Sequence, residues 1–414
     1  MISFTGRLSA LRHTDYRRYW LGSCCSVGAA QLQIMAQGWL VYDLTGSAMM
    51  LGYLGAAASL PSIIMTLFGG VMADAMDKKK LITIACLGST LLLALLAWLD
   101  FSDQVSVWHV IAISGSLALI SGFDWPSRQA IFPALIEPDD MMSAVALNAI
   151  IWQATRMLMP ALGGLLIALV DTWLVFALCA LGWLGMLGVI LNIHRRFPPA
   201  AGRGSALGQM AEGVRYILHS NLFRVLIGLG FIGMGLGSTY QQMMPALAGL
   251  LQANETGYGL LISAGGVGSV FGTIMMGNAQ RSARLGHWLL GSAMASVLCV
   301  YLLTLVTAAL SGTPFAMTLA MLSVFGAALF TSVFMVMSMT ILQLAVPDEL
   351  RGRVMGIQSM CYNLMPLGGL LAGWLAGPLT VAGALALMAS VYLAVLIFTA
   401  STQADIRSLS GTGV

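Results

Sequence analysis

Residues 285–347, LGHWLLGSAMASVLCVYLLTLVTAALSGTPFAMTLAMLSVFGAALFTSVFMVMSMTILQLAVP, decide the fold because they contain no Asp, Glu, Lys or Arg. The run is 63 residues long, and a helix needs about 20 apolar residues to cross a bilayer. Only helices and closed barrels satisfy their backbone polar groups inside lipid. The run lacks the polar–apolar alternation of a barrel strand. It therefore predicts two membrane-spanning helices joined by a turn.

The whole chain has the same character. Of its 414 residues, 58% are hydrophobic and 8% are charged, against about 25% charged in an average soluble domain. This composition excludes soluble enzymes, nucleic-acid-binding proteins and disordered scaffolds. The net charge of +3 is too small to attract a polyanion. The six cysteines lie in apolar runs without metal-site spacing, so no metal is expected.

Hydropathy and loop signals predict twelve spans, and the charged residues orient them. Of the 19 lysines and arginines, 18 fall on one side of a twelve-span arrangement, whereas the opposite loops carry only acids. Positively charged loops stay in the cytoplasm. We therefore expect a multi-pass protein of the bacterial inner membrane with both termini cytoplasmic and no cleavable signal peptide. The predicted spans are 19–42, 49–73, 81–100, 105–126, 141–168, 172–192, 223–247, 257–278, 286–308, 314–340, 354–376 and 379–400.

The two halves of the chain resemble each other. A Pro-Asp-Asp loop at Pro138 precedes a helix containing Gly163-Gly164, and a Pro-Asp-Glu loop at Pro347 precedes a helix containing Gly368-Gly369. Parallel halves of this kind are a transporter architecture with the binding site at their interface. The predicted fold is all-α and integral to the membrane, with twelve transmembrane helices in two parallel six-helix halves. The expected divisions are 1–192, a cytoplasmic linker 193–222 with an amphipathic helix at 206–219, and 223–414.

The loop between spans 2 and 3 reads GVMADAMDKKK over residues 70–80. It resembles the loop signature of the major facilitator superfamily, although Ala75 and Asp77 depart from the usual Arg and Gly. The resemblance implies a conformational latch that holds the two halves in one transport state. The residues it assigns to this latch are Gly70, Asp74, Lys78 and, as the partner of Lys78, Asp124.

Span 5 contains RMLMPALGG over residues 156–164. It resembles a helix-5 motif of drug and metabolite antiporters, in which Pro160, Gly163 and Gly164 match and Met159 departs. The resemblance implies export. Further stretches are similar to the branch of the enterobactin (siderophore) exporter and related drug and metabolite effluxers: RRYW at 17–20, QGWLVYDLTGS at 37–47, and DWPSR at 124–128.

Polar residues within the spans are the candidates for substrate binding. Arg156 is the only lysine or arginine deep in a span, and it shares a helix face with Asn148 and Trp152. Placing it there costs at least about 2.5–3.5 kcal/mol, so it either meets an anionic substrate or makes structural hydrogen bonds. The resemblance adds residues on spans that line or flank the cavity of the superfamily. The full set is Arg156, Gln33, Gln37, Asn148, Gln153, Tyr240, Gln241, Gln358 and Tyr362.

The spans offer two groups for proton coupling, Asp124 and Asp43. Each has a second interpretation, Asp124 as the partner of Lys78 and Asp43 as a loop or capping residue. We find no nucleophile–base pair, so the chain is not predicted to be an enzyme. No cofactor is expected. We expect an ion gradient, with protons as the ion, to drive transport.

These observations predict a secondary active transporter that works as a monomer by alternating access. The expected function is proton-coupled export of a small amphipathic or anionic metabolite, such as a siderophore, or of drugs. One alternative is an importer of a small organic solute. Another is a non-transporting membrane sensor or assembly subunit.

Overall fold

The computed structural model describes residues 6–195, 206–279 and 285–407. These residues form helices joined by short turns, and no β-strand occurs among them. The first half of the chain contains a 3-10 segment, Gly6–Arg12, followed by six long helices. They are α1 (Thr14–Thr45), α2 (Ala48–Ala75), α3 (Lys78–Phe101), α4 (Val107–Ile131), α5 (Met141–Leu169) and α6 (Thr172–Asn192).

The second half begins with the predicted amphipathic helix, α7 (Ala206–His219), which is confirmed. The remaining helices are α8 (Asn221–Ile232), α9 (Met244–Leu250), α10 (Glu255–Ala279), α11 (Leu285–Ala309), α12 (Ala316–Ala345), α13 (Asp348–Ser359), α14 (Leu364–Thr402) and α15 (Ala404–Arg407).

Ten stretches among the described residues are long and apolar enough to cross a membrane. One of them, Leu350–Thr402, is 53 residues long and holds two crossings, because Thr380 interrupts α14 with a non-helical backbone (φ 68°). Helix α1 is 32 residues long and adds the remaining crossing. Together these helices account for the twelve predicted spans. The all-α membrane fold is therefore confirmed.

Contacts divide the chain into two compact units. The first comprises the described parts of Met1–Leu44 and Leu60–Ala206, and the second those of Thr45–Ser59 and Leu207–Val414. The division cuts α2 between Ser59 and Leu60, immediately before Pro61. The beginning of α2 thus groups with the second half of the chain, although the predicted division places it in the first half.

Small residues let helices of the same unit approach closely. A methyl group on Gly182 of α6 would lie 2.9 Å from the carbonyl oxygen of Cys25 and 3.0 Å from Cβ of Ala29, both in α1. In the second unit, Gly268 and Gly272 of α10 similarly face backbone carbonyls of α12. Lipid gives no hydrophobic drive for association between helices, so close van der Waals packing of this kind holds them together.

The amphipathic helix α7 is attached to α13. Nη1 of Arg353 and Oε2 of Glu212 form an ion pair at 2.7 Å. A methyl group on Gly213 would lie 3.1 Å from Cβ of Arg353 and 3.1 Å from Cδ1 of Ile357. The described part of the linker therefore packs against the helix that begins span 11.

Candidate functional site

A buried polar cluster surrounds Arg128 in the first unit. Nε of Arg128 donates a hydrogen bond to Oδ2 of Asp124, one turn earlier in α4, at 2.7 Å. Nη1 donates to Oγ of Ser26 in α1 at 3.1 Å, and Nη2 donates to Sγ of Cys86 in α3 at 3.7 Å. The guanidinium carbon lies 5.3 Å from the ring centroid of Trp183 in α6. One guanidinium therefore connects helices α1, α3, α4 and α6.

Two polar atoms in this cluster lack a hydrogen-bond partner among the described residues. They are Oδ1 of Asp124 and Nε1 of Trp183, both buried. A buried polar group without a partner costs about 1–3 kcal/mol. Asp124 is 6% exposed and Arg128 is 8% exposed, so neither charge is compensated by water. Oδ1 of Asp124 can take up a proton without first breaking the hydrogen bond that Oδ2 accepts.

The partner of Asp124 differs from the expected one. Sequence comparison implied a pair with Lys78, whereas the structure pairs Asp124 with Arg128. The four-residue spacing within DWPSR was the signal that could have found this pair, because residues i and i+4 of a helix are neighbours. Lys78 is the first residue of α3 and is buried. Its function in a latch stays a prediction.

The basic first turn of α3 and its capping residue hold the ends of two helices together. Asp77 caps α3, since its Oδ1 accepts from the backbone N–H of Lys79 at 2.8 Å. Nζ of Lys79 donates to the carbonyl oxygens of Leu191 and Ile193 at 3.3 and 2.6 Å, at the end of α6. Cations at a helix C-terminus are favourable. Asp77, which departs from the superfamily pattern, therefore has a structural function here.

The remaining latch residues, Gly70 and Asp74, lie in the last part of α2. The side chains of residues 66–75 fall outside the described part of the structure. The latch assigned to these two residues therefore stays a prediction.

Arg156 lies in the middle of α5, and its side chain is exposed at the surface of the first unit. On the same helix face, Trp152 packs its ring edge-on against Trp125 of α4, with centroids 5.3 Å apart. Asn148 and Gln153 are half-buried on the same helix. The structure thus presents a cation and neighbouring amides on an apolar helix, accessible from outside the unit.

The helix-5 motif lies against α1. Pro160, Gly163 and Gly164 are all buried. A methyl group on Gly163 would lie 3.0 Å from Cδ2 of Leu32 and 3.1 Å from Sδ of Met35. The motif therefore forms a close contact between α5 and α1.

Two glutamines and an acid occupy the second half of α1. Nε2 of Gln33 donates to Oε1 of Gln37 at 3.2 Å. Gln37 is 2% exposed, and within the described ranges its Nε2 has no acceptor. Asp43 lies in the last turn of α1 and is exposed. Gln37 is thus a buried donor available to a ligand, whereas Asp43 lies at the helix end.

The stretch predicted as span 7 is not one continuous helix. Helix α8 ends at Ile232, a π-helical turn covers Gly233–Gly237, and a 3-10 turn covers Thr239–Gln241 before α9 begins. The five-residue π segment has glycine at both ends and in the middle. Single π-helical turns of this kind occur frequently at functional sites. The break places Tyr240 inside the unit, where it is 1% exposed, and leaves Gln241 half-buried.

The predicted shared face of Gln358 and Tyr362 is wrong. Residues Met360–Asn363 adopt a 3-10 turn between α13 and α14, so the four-residue spacing no longer returns to one face. Gln358 is 6% exposed and packs near Gly230, whereas Tyr362 is 55% exposed. The two side chains therefore lie in different surroundings.

A contact missed from the sequence joins the beginning of α2 to α14 within the second unit. Nε2 of Gln242 donates to the carbonyl oxygen of Leu51 at 3.0 Å. A methyl group on Gly52 would lie 2.9 Å from the carbonyl oxygen of Gly369. The glycines at 52 and 55 in α2 and at 373 in α14 are the signal that could have found it, because small residues mark close helix contacts in membranes.

Solved transporter structures share this fold. The nucleoside transporter NupG matches with a TM-score of 0.75 and 11% identity, covering 94% of this chain and 98% of that one. An inward-facing bacterial homologue of the human lysosomal transporter Spinster matches with a TM-score of 0.69 and 14% identity, covering 99% of this chain and 98% of that one. The fold of this chain is therefore the helical membrane fold of these transporters.

The chain belongs to the transmembrane secretion effector family of the major facilitator superfamily, which it matches over residues 5–409. This family defines it as a membrane transporter and not an enzyme. A relative, the enterobactin exporter EntS of Shigella boydii serotype 4 (strain Sb227), is 28% identical over 334 residues, 79% of this chain and 74% of the relative. Enterobactin exporter EntS of Escherichia coli O139:H28 (strain E24377A / ETEC) is 27% identical with the same coverage. The family prediction is confirmed. The protein is a multi-pass secondary transporter of the inner membrane that acts on small molecules.

Proposed function

We propose that the protein exports a small amphipathic, anionic metabolite of the siderophore class, driven by protons entering the cell. The observation that carries the substrate class is the exposed guanidinium of Arg156 in the middle of an apolar spanning helix. Relatives named enterobactin exporters support the direction and the kind of cargo. We further propose that both termini are cytoplasmic, that the protein works as a monomer and that it needs no cofactor.

The position of Arg156 favours a polar pathway. A charged side chain facing lipid at mid-bilayer is costly, so such residues generally face a water-filled cavity or the bundle interior. The exposed side of Arg156 is therefore expected to face the transport pathway. There it would form charge-assisted hydrogen bonds with an anionic group, and such bonds are worth about 1.5–3 kcal/mol. Trp152 on the same face offers an aromatic surface to an amphipathic substrate.

Gln37 is the second proposed contact. Its Nε2 is buried without an acceptor among the described residues, which costs about 1–3 kcal/mol. A carbonyl, catechol or carboxylate oxygen of a substrate would supply the missing acceptor. Gln33, which donates to the oxygen of Gln37, fixes the orientation in which that amide points its donor.

Asp124 is the proposed proton carrier. Protonation at Oδ1 would neutralise Asp124 and leave the charge of Arg128 without its counter-ion. A buried uncompensated charge is strongly unfavourable, so proton uptake would favour another arrangement of the four helices that Arg128 connects. This ties proton binding to a conformational change. Asp43 is the weaker candidate because its side chain is exposed at the end of α1.

The test is untargeted mass spectrometry of medium and cell extract. A deletion strain is compared with strains complemented by wild type, Arg156→Ala, Asp124→Asn and Asp43→Asn, in iron-poor and iron-rich growth. Export predicts a compound that is lost from the medium and retained in cells of the deletion strain. We expect wild type and Asp43→Asn to restore release of the compound. Arg156→Ala and Asp124→Asn should not restore it, even when each variant is present in the membrane at the same amount as wild type. Loss of the compound from cells instead would establish import and overturn the proposal.

A further inference from the structure

We propose that a side cavity in the second unit binds one anionic phospholipid. The cavity has a volume of about 450 Å³ and lies between α10, α11 and α12. Its lining includes Met275, His287, Trp288, Phe330 and Val333. Its volume is within the range of about 300–1,000 Å³ typical of sites for small molecules. The inference is independent of the exported substrate and of the direction of transport.

The cavity is bordered by exposed apolar side chains. Two of its lining side chains, Met275 and Trp288, are 41% and 45% exposed. On the same helix as Met275, Phe271 and Ile274 are 56% and 68% exposed. We infer that this exposed apolar surface on a membrane-spanning helix faces lipid tails, which cover it without exposing it to water. An acyl chain is therefore the molecule that meets the mouth of the cavity.

The lining residues come from the end of one helix and the middle of another. His287 is the third residue of α11, close to the end of its span. Phe330 is near the middle of α12, which covers Ala316–Ala345. Tryptophan and similar amphipathic side chains near helix ends mark the membrane–water interface. We infer that a lipid would lie with its head group at His287 and its tail toward Phe330.

The chemistry of the walls agrees with this orientation. The hydroxyl of Ser292 donates to the carbonyl oxygen of Leu289 at 3.0 Å, so Ser292 does not present an unpaired donor to a tail. His287 is the ionisable side chain among the described lining residues, and its imidazole can donate to a phosphate. None of the described lining residues is acidic, so the cavity does not repel an anionic head group.

Gly291 offers a way to fill the cavity without disturbing the fold. It lines the cavity, and a methyl group there would meet no atom within 4 Å. Gly188 of α6 is a matched control, because it is also exposed and open on a spanning helix, but lies in the other unit. Leucine at either position adds an exposed apolar side chain to a spanning helix. Only leucine at 291 would occupy the cavity.

The experiment is native mass spectrometry of the delipidated protein titrated with phosphatidylglycerol and, separately, with phosphatidylcholine. Wild type and Gly188→Leu are expected to bind one phosphatidylglycerol more tightly than phosphatidylcholine. Gly291→Leu should weaken that binding about tenfold, equivalent to about 1.4 kcal/mol. His287→Ala should remove the preference for phosphatidylglycerol. Equal binding by wild type and Gly291→Leu, or equal affinity of wild type for the two lipids, would overturn the proposal.

A second measurement does not depend on the folding of Gly291→Leu. Phospholipids with brominated acyl chains quench nearby tryptophans, and the signal of Trp288 is the difference between wild type and Trp288→Phe. We expect brominated phosphatidylglycerol to quench Trp288 at lower lipid concentration than brominated phosphatidylcholine does. Quenching of Trp288 that follows total lipid, whatever its head group, would show ordinary bilayer contact and reject the site.

Discussion

Nε of Arg128 lies 2.7 Å from Oδ2 of Asp124 in a nearly fully buried ion pair. The same guanidinium reaches Ser26, Cys86 and the ring of Trp183. Charged groups in the interior of a membrane-spanning bundle are expensive and usually functional. The pair therefore connects the packing of the first unit with the proposed proton coupling, and it can be tested for stability separately from transport.

Removing Arg128 alone should destabilise the protein strongly. Arg128→Leu leaves the Asp124 charge buried without its partner, which costs about 3–5 kcal/mol in the free energy of unfolding. The double variant Arg128→Leu/Asp124→Leu removes both charges and should lie closer to wild type. Thermal and denaturant unfolding in detergent measure both effects. A double variant as unstable as the single one would show that packing around Arg128, rather than charge pairing, is lost.

The contact between α6 and α1 should depend on one glycine. Gly182→Ala pushes a methyl group against the backbone carbonyl of Cys25, and such overpacking costs about 1–3 kcal/mol. Gly185→Ala, three residues along the same helix, meets nothing within 4 Å and should be neutral or slightly stabilising. The unfolding temperatures of the two variants give the comparison. Equal temperatures would mean that the two helices separate easily enough to accept the methyl group.

Transport should require the beginning of α2 to lie against α14. A leucine at Gly52 collides with the backbone of Gly369, so Gly52→Leu is expected to reduce export at least about tenfold by removing the state in which this contact forms. Gly228→Leu in α8 is the control, since a methyl group there meets no atom within 4 Å. Export per molecule of membrane-inserted protein is measured for both. Normal export by Gly52→Leu would show that this contact is not needed in the cycle.

Arg156 should affect substrate affinity more than folding. Because its side chain is exposed, Arg156→Ala should change the unfolding temperature much less than Arg128→Leu does. Loss of charge-assisted hydrogen bonds, worth about 1.5–3 kcal/mol, should weaken binding of an acidic substrate by about tenfold or more. Arg156→Lys keeps the charge and should recover part of the affinity. Once the exported compound is known, its Kd can be measured by titrating it into the purified variants. An unchanged Kd in Arg156→Ala would show that this arginine has a structural function and does not bind the substrate.

Much of the fold was predictable from the order of apolar and charged residues. Spans 2 to 6 and 8 to 10 correspond to single helices with ends close to the predicted ones. The division between spans 11 and 12 was also expected, and the backbone departs from helical geometry there at Thr380. The prediction was less successful where glycines interrupt a span, because an apolar glycine-rich run does not distinguish a straight helix from the π-helical turn at Gly233–Gly237.

The candidate site was predictable as a set of residue types and not as a set of contacts. The sequence identified Asp124, Gln37 and Arg156 because polar groups are rare in the spans. It did not identify Arg128 as the partner of Asp124. Nor did it show that Gln358 and Tyr362 point into different surroundings, since a single 3-10 turn between them changes the angular spacing.

By itself, the sequence determined that this chain crosses a membrane twelve times in two related halves, because lipid accepts only long apolar helices whose backbone bonds are satisfied internally. Only the tertiary structure decided which helices meet at Arg128, where span 7 breaks, and where a side cavity remains between α10, α11 and α12. Helices in lipid associate through shape and a few polar contacts. These contacts depend on which small and large side chains face each other, and the pattern of apolar residues in the sequence does not specify those pairings.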